Sequence, residues 1–126
     1  MKYKIVNYNH SGDKYSVTIQ CPAGHFTGST IVKEEDKSHE SRFFGYEIAE
    51  LKAKRKMYKT LKNNNKSLYK VIDPILPDEE YLYSFRQKIK QKIKDYEKQE
   101  LQCTFDICAK TKERDILVQL MDKNVK

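Results

Sequence analysis

The chain has 126 residues, 38% of them apolar and 34% charged, with a mean hydropathy of -0.85, which is room for one compact domain (1–126) and argues against a two-domain enzyme. No run approaches the roughly 18 consecutive apolar residues of a membrane span, and the start Met1-Lys2-Tyr3-Lys4-Ile5 lacks the apolar run of a secretory signal, so a cytoplasmic protein is expected. The formal charge of +7 arises from 25 basic and 18 acidic side chains, a mixed-sign surface with a surplus rather than a polycationic tail.

Lys2–Tyr8 is rich in β-formers, and the turn residues Asn9-His10-Ser11-Gly12-Asp13 follow, with a glycine free to take positive φ. In Tyr15-Ser16-Val17-Thr18-Ile19-Gln20-Cys21 the apolar residues alternate strictly, the pattern of a strand with one buried face. Pro22-Ala23-Gly24 breaks it, and His25–Val32 reads as a third strand. Cys21-Pro22-Ala23-Gly24-His25 has the outline of half a zinc knuckle, but no second half has ligand spacing, so no metal is expected and Cys21 reads as a strand residue beside a turn. The three cysteines, Cys21, Cys103 and Cys108, form no CxxC pair and argue for a reducing compartment.

Lys33–Ser41 has no apolar residue and reads as an exposed loop leading to a helix capped by Ser38 or Ser41. Glu34, Glu35 and Asp36 within it lack the spaced geometry of a calcium loop. The pattern then turns helical, with Phe44, Ile48, Leu51, Tyr58 and Leu61 on one stripe and Ala49 and Ala53 allowing close packing nearby. Arg55 occupies a gap in that stripe, which puts it at the edge of the packed face or pointing into a pocket or subunit interface. The charge surplus sits here: residues 43–70 carry eight basic and two acidic side chains, with Lys52, Lys54, Arg55, Lys56, Lys59 and Lys62 on this helix and its exit. Asn63-Asn64-Asn65 is expected to end the helix, and Lys66–Pro77 to cross irregularly, held out of helix by Pro74 and Pro77.

Asp78-Glu79-Glu80 supplies an N-cap and an acidic first turn for a second helix, expected to run to about Gln99 with Leu82, Phe85, Ile89, Ile93 and Tyr96 as its apolar stripe. Period two returns in Cys103, Phe105, Ile107 and Ala109, which predicts a strand, and Lys112–Asp115 can turn the chain into a last strand, Ile116–Met121. The expected fold class is therefore α+β, an antiparallel sheet in the order β-β-β-α-α-β-β decorated by two long helices.

Catalysis finds no constellation. His10, His25 and His39 lie in or beside turns or loops, away from any plausible nucleophile and orienting acid. Gly12, Gly24, Gly28 and Gly45 are too scattered for a phosphate-binding loop, so phosphate would be held by side chains. Lysine outnumbers arginine 21 to 4, which makes Arg42, Arg55, Arg86 and Arg114 candidates for the forked recognition an ammonium cannot supply. Fourteen aromatic residues exceed what packing needs, and Tyr81, Tyr83 and Phe43 could stack on a nucleobase, with core packing as the alternative role.

Gly28-x7-Asp36 followed by Gly45-Tyr46-Glu47-Ile48-Ala49-Glu50-Leu51-Lys52-Ala53 resembles, over about a quarter of the chain, the anti-Thoeris sponge family of phages. The resemblance implies an antiparallel sheet with two long helices, assembly as a homodimer or higher homo-oligomer, and a non-enzymatic activity without cofactor. Such a protein sequesters a cyclic nucleotide immune signal, a cyclic ADP-ribose isomer or a cyclic oligonucleotide, in the host bacterial cytoplasm. A cyclic ADP-ribose isomer demands arginine or lysine forks for its pyrophosphate and a flat group for its adenine. On that physical ground the ligand-binding candidates are Arg55, Arg86, Arg114, Lys59, Tyr81, Tyr83 and Phe43. The same basic helix would equally suit a small nucleic-acid-binding or host-protein-blocking accessory protein.

Overall fold

The structure is a computed structural model. It describes residues 2–31, 39–75 and 80–125, and the side chains of these except 39–43, 80–81, 118 and 121–125. Three strands, β1 (Lys4–Ser11), β2 (Lys14–Cys21) and β3 (Gly24–Ile31), form an antiparallel meander in the order β1-β2-β3, and two helices, α1 (His39–Ile72) and α2 (Glu80–Val125), complete an α+β architecture.

The hairpin turns are built by glycine: Gly12 (φ 59°) and Gly24 (φ 129°) take backbone conformations that a Cβ would strain. In β2 the alternation read from the sequence is realised. Tyr15, Val17, Ile19 and Cys21 are buried while Ser16, Thr18 and Gln20 face outward. On the outer face, hydroxyl pairs link β2 to β3, Ser16 with Ser29 at 2.9 Å and Thr18 with Thr27 at 2.8 Å. A bulge between Ile5 and Asn7 shifts the register of β1, so that Ile5 pairs with Ile19 and Tyr8 with Val17.

α1 packs across the inner face, and Ala49, Ala53 and Met57 are buried with Val17 and Ile19. The approach is closest at Gly28. A Cβ there would run into the Ala49 carbonyl oxygen and the Ala53 amide nitrogen and come within 2.9 Å of the Lys52 carbonyl carbon. The stripe Phe44–Tyr58, a quarter-turn or more away, meets α2, where Tyr58 packs beside Tyr96 with ring centroids 6.2 Å apart.

Three expectations are corrected. Asn63-Asn64-Asn65 does not end α1, which continues to Ile72. No glycine or proline lies between Tyr46 and Asp73, and Asn65 donates from its side chain to the Leu61 carbonyl at 2.8 Å, one turn back. The second helix does not stop near Gln99, and the two C-terminal strands, Cys103–Ala109 and Ile116–Met121, are instead the second half of a 46-residue α2. The reason is that the period-two reading of 103–109 competes with a helical one: Ile89, Ile93, Tyr96, Glu100, Cys103 and Ile107 recur at three and four residues on the side facing α1. No glycine or proline interrupts 78–126, and the β-branched Thr104 and Thr111 bond back to the Glu100 and Ile107 carbonyls at 3.2 and 2.8 Å. The loop 33–38, its candidate cap Ser38, the acids Glu34, Glu35 and Asp36, and the Asp78-Glu79 cap lie outside the described residues, as does the side chain of Ser41.

Candidate functional site

On α1, Lys52, Arg55, Lys56 and Lys59 follow the i, i+3, i+4, i+7 spacing that gathers side chains on one helical face. The sheet takes one side of α1 and α2 another, so this face becomes a flank between the β3 edge and α2. Lys56 fixes its upper border by donating from Nζ to the Thr27 carbonyl at 2.7 Å, which caps an otherwise open position on the edge strand. Opposite, α2 contributes Glu100 and Thr104. Together Arg55, Lys56, Lys59, Glu100 and Thr104 line a cleft of about 410 Å³.

Glu100, the acid among those lining residues, is occupied: its Oε2 lies 2.6 Å from Lys62 Nζ in a pair whose side chains are 20% and 16% exposed. Arg55 and Lys59 have no ion pair among the described residues. Lys52, half-buried beside them, has its pKa lowered, first by burial and then by the positive charges of Arg55, Arg114 and Lys56. Arg114, on α2, thus bears on Lys52 through its charge. Its Nε is 3.8 Å from Asp115 Oδ1, its side chain is 17% exposed, and its Nη1 is buried without a hydrogen-bond partner among the described residues. Cations pressed together in this way make a site that an anion would relieve.

Of the residues singled out from the sequence, the cleft brings together Arg55 and Lys59; Arg114 does not line it and bears on the cluster only through its charge on Lys52. Arg86 is elsewhere. It is buried at the α1–α2 turn, where its Nη2 donates to the Asp73 carbonyl at 2.9 Å and its Nε lies 3.0 Å from Asp73 Oδ1, so its fork ties the hairpin end. Tyr83 is exposed near that same turn. It lies 21 residues from Thr104 along one continuous helix, about 30 Å at 1.5 Å per residue, and shares no site with Arg55 within one chain. Phe43 and Tyr81 have side chains outside the described residues. Lys52 and Lys56 were read from the sequence only as part of the basic surplus of this helix, and Thr104 was not singled out. The four-residue spacing 52-55-56-59 was the available signal for the two lysines, whereas Thr104 was hidden by the strand reading of its segment.

Two other depressions are lined by fewer charged side chains. One of about 420 Å³ is lined by Lys2, Tyr3, Lys4, Gln20, Cys21 and Pro22, and one of about 360 Å³ by Tyr58, Lys92, Asp95, Tyr96, Lys98 and Gln99. Beside the latter, burial pushes the Tyr58 phenol and the Cys103 thiol up, which keeps both protonated at neutral pH. Among the described residues, no group of three or more His, Cys, Asp or Glu side chains could hold a metal ion, and no helix is long and apolar enough to cross a membrane. Comparison with protein-family models, with curated proteins and with solved structures finds no match.

Proposed function

We propose that the chain is a non-catalytic binder of a phosphate-bearing small molecule, a cyclic nucleotide signal of the kind that phage anti-Thoeris sponges sequester, held at the cleft between α1 and α2. The observation that carries this reading is the row Lys52, Arg55, Lys56 and Lys59 on one flank of α1, three of which line a cleft whose acid, Glu100, is already paired with Lys62. A phosphate of the ligand would take the fork of Arg55, which donates two parallel N–H groups. Lys52 and Lys59 would supply neutralising charge, and the Thr104 hydroxyl a neutral hydrogen bond to a ribose or phosphate oxygen. The cleft volume falls within the range of small-molecule pockets. With Tyr83 at the far end of the hairpin, adenine would stack on a guanidinium face rather than on that tyrosine.

The test is native mass spectrometry of the purified chain with cyclic ADP-ribose isomers and cyclic di- and trinucleotides. One of them should be retained at fixed stoichiometry and released unchanged by heat. Arg55→Lys keeps charge and loses the fork, so affinity should fall about tenfold or more, as expected for loss of a charge-assisted bidentate contact. If no cyclic nucleotide binds and duplex DNA binds with an affinity that falls steeply with salt, the cluster is a phosphate-backbone contact and the sponge reading fails.

A further inference from the structure

The face of α2 turned away from α1 carries a pattern that the cleft does not use. Leu101, Phe105, Ala109, Lys112, Ile116 and Leu120 follow one another at spacings of four, four, three, four and four residues. At 100° per residue they stay within a stripe about 100° wide, diametrically opposite Cys103 and Ile107. The large side chains on it are open to solvent: Leu101 is 61% exposed, Phe105 75%, Ile116 58% and Leu120 52%. Single exposed apolar residues need no explanation, but four aligned along one helix do.

We propose that this stripe is a self-association surface on which α2 pairs antiparallel with α2 of a second copy. The occupant is indicated by the spacing itself, which reads the same in both directions about a point between Lys110 and Thr111. A twofold axis through that point sets Leu101 opposite the second copy's Leu120 and Phe105 opposite its Ile116, and lays the aliphatic stem of Lys112 over Ala109. All four exposed apolar side chains are then covered by one another. A parallel pair would place Lys112 on Lys112 in the middle of the seam, like charge against like. The antiparallel axis also has a consequence for the cleft. Thr104 and Glu100 lie on one flank of α2, so the twofold sets both cationic clefts on the same face of the pair. The pairing does not rest on the identity of the ligand, and it is read without ligand.

Sedimentation velocity of the full chain over a concentration series should show a monomer–dimer equilibrium. Phe105→Glu and Ile116→Glu should each weaken it at least tenfold while leaving helical circular dichroism and the melting temperature of the monomer unchanged. A chain that stays monomeric up to about 0.1 mM overturns the proposal, and so does a dimer indifferent to both substitutions. Orientation is read by cysteine cross-linking in a Cys108→Ser background, with Phe105→Cys in one preparation and Ile116→Cys in another. Like positions lie 11 residues apart across the axis, about 16 Å, so neither preparation alone should form a disulfide dimer, and their mixture should. Dimers from either alone, or none from the mixture, overturn the antiparallel arrangement.

Discussion

The two helices are both long and rich in lysine, yet they are surrounded differently. α1 lies between the sheet and α2, with Ala49, Ala53 and Met57 completely buried on one side and Tyr58 on the other. Among the described residues α2 has a neighbour on one side only, and its Leu101 and Phe105 stand in solvent. Charge follows the same division. α1 carries nine basic and three acidic residues, α2 ten and eight. A helix covered on two sides has only its flanks left for polar groups, so a surplus of lysine and arginine on α1 is compressed into strips, and one of these is the wall of the cleft. On α2 the two signs nearly balance over the whole length, five cations from Arg86 to Lys94 being followed by acids from Asp95 onward, and they are spread over a wide exposed surface. Enclosure, more than the number of cations, is what makes a site here.

The sharpest way to break the enclosure is at Gly28. Gly28→Val would force a side chain into the backbone of α1 at Ala49 and Ala53, which no rotamer change can relieve, and should destabilise the chain by about 3 kcal/mol or more, read by urea denaturation. Next in size is truncation on each helix. Met57→Ala removes a fully buried side chain from the layer between sheet and helix and should cost about 2–4 kcal/mol. Leu101→Ala, studied at concentrations where the chain is monomeric, should change stability by no more than about 0.5 kcal/mol. Equal losses at both positions would mean that α2 has a second neighbour within the same chain.

A smaller effect separates stability from binding. Lys52 sits among Arg55, Lys56 and Arg114 with its pKa lowered, so its charged form is held at a cost that rises in the folded state. Lys52→Met removes that repulsion and should raise the melting temperature by about 1–3 °C, the size expected from a few tenths of a kcal/mol in a domain of this length. The same change should weaken binding of inorganic pyrophosphate, measured by calorimetry. A variant that is both less stable and equally good at binding anions would remove Lys52 from the cluster.

How much of this was legible in the sequence depends on whether one periodicity or two were present. In β2 only the alternation of Tyr15, Val17, Ile19 and Cys21 fits, and strand, hairpins and buried face all follow from it. In α1 the stripe Phe44-Ile48-Leu51-Tyr58-Leu61 was readable, but it is the α2-facing side. The sheet-facing side was visible only as two alanines, because close packing on Gly28 selects small residues that carry little hydrophobic signal. In 103–109 the residues satisfy period two and period 3.6 at once, and the alternation of Cys103, Phe105, Ile107 and Ala109 tilted the local reading toward strand. Helical continuity from Tyr96 through Cys103 to Ile107, together with the lack of glycine or proline, decides it. The site was legible to the extent that its members share one helix. Arg55 and Lys59 could be grouped by spacing, whereas Arg114 lies outside the cleft lining and Arg86 leaves them because Asp73 claims its fork.

The smallest effect expected lies at the opposite flank of α1, where Tyr3 donates its phenol to Glu50 Oε1 at 3.2 Å. Burial first, then the Glu50 charge and the hydrogen bond to it, push the Tyr3 pKa up to about 12. The unfolded chain ionises this phenol near pH 10. The neutral, bonded form therefore contributes stability that is fully present below pH 10 and is lost as pH rises through about 12. Tyr3→Phe removes the hydrogen bond and should cost about 0.5–1.5 kcal/mol at neutral pH. It should also remove this residue's share of the alkaline loss. The difference in unfolding free energy between the wild-type chain and Tyr3→Phe, measured at pH 9 and at pH 11.5, cancels the titration of the other tyrosines and lysines. It should shrink at the higher pH. A difference that stays constant would mean that Tyr3 ionises alike in the folded and unfolded chain, and that the flank of α1 beside β1 is as open to solvent as the outer stripe of α2.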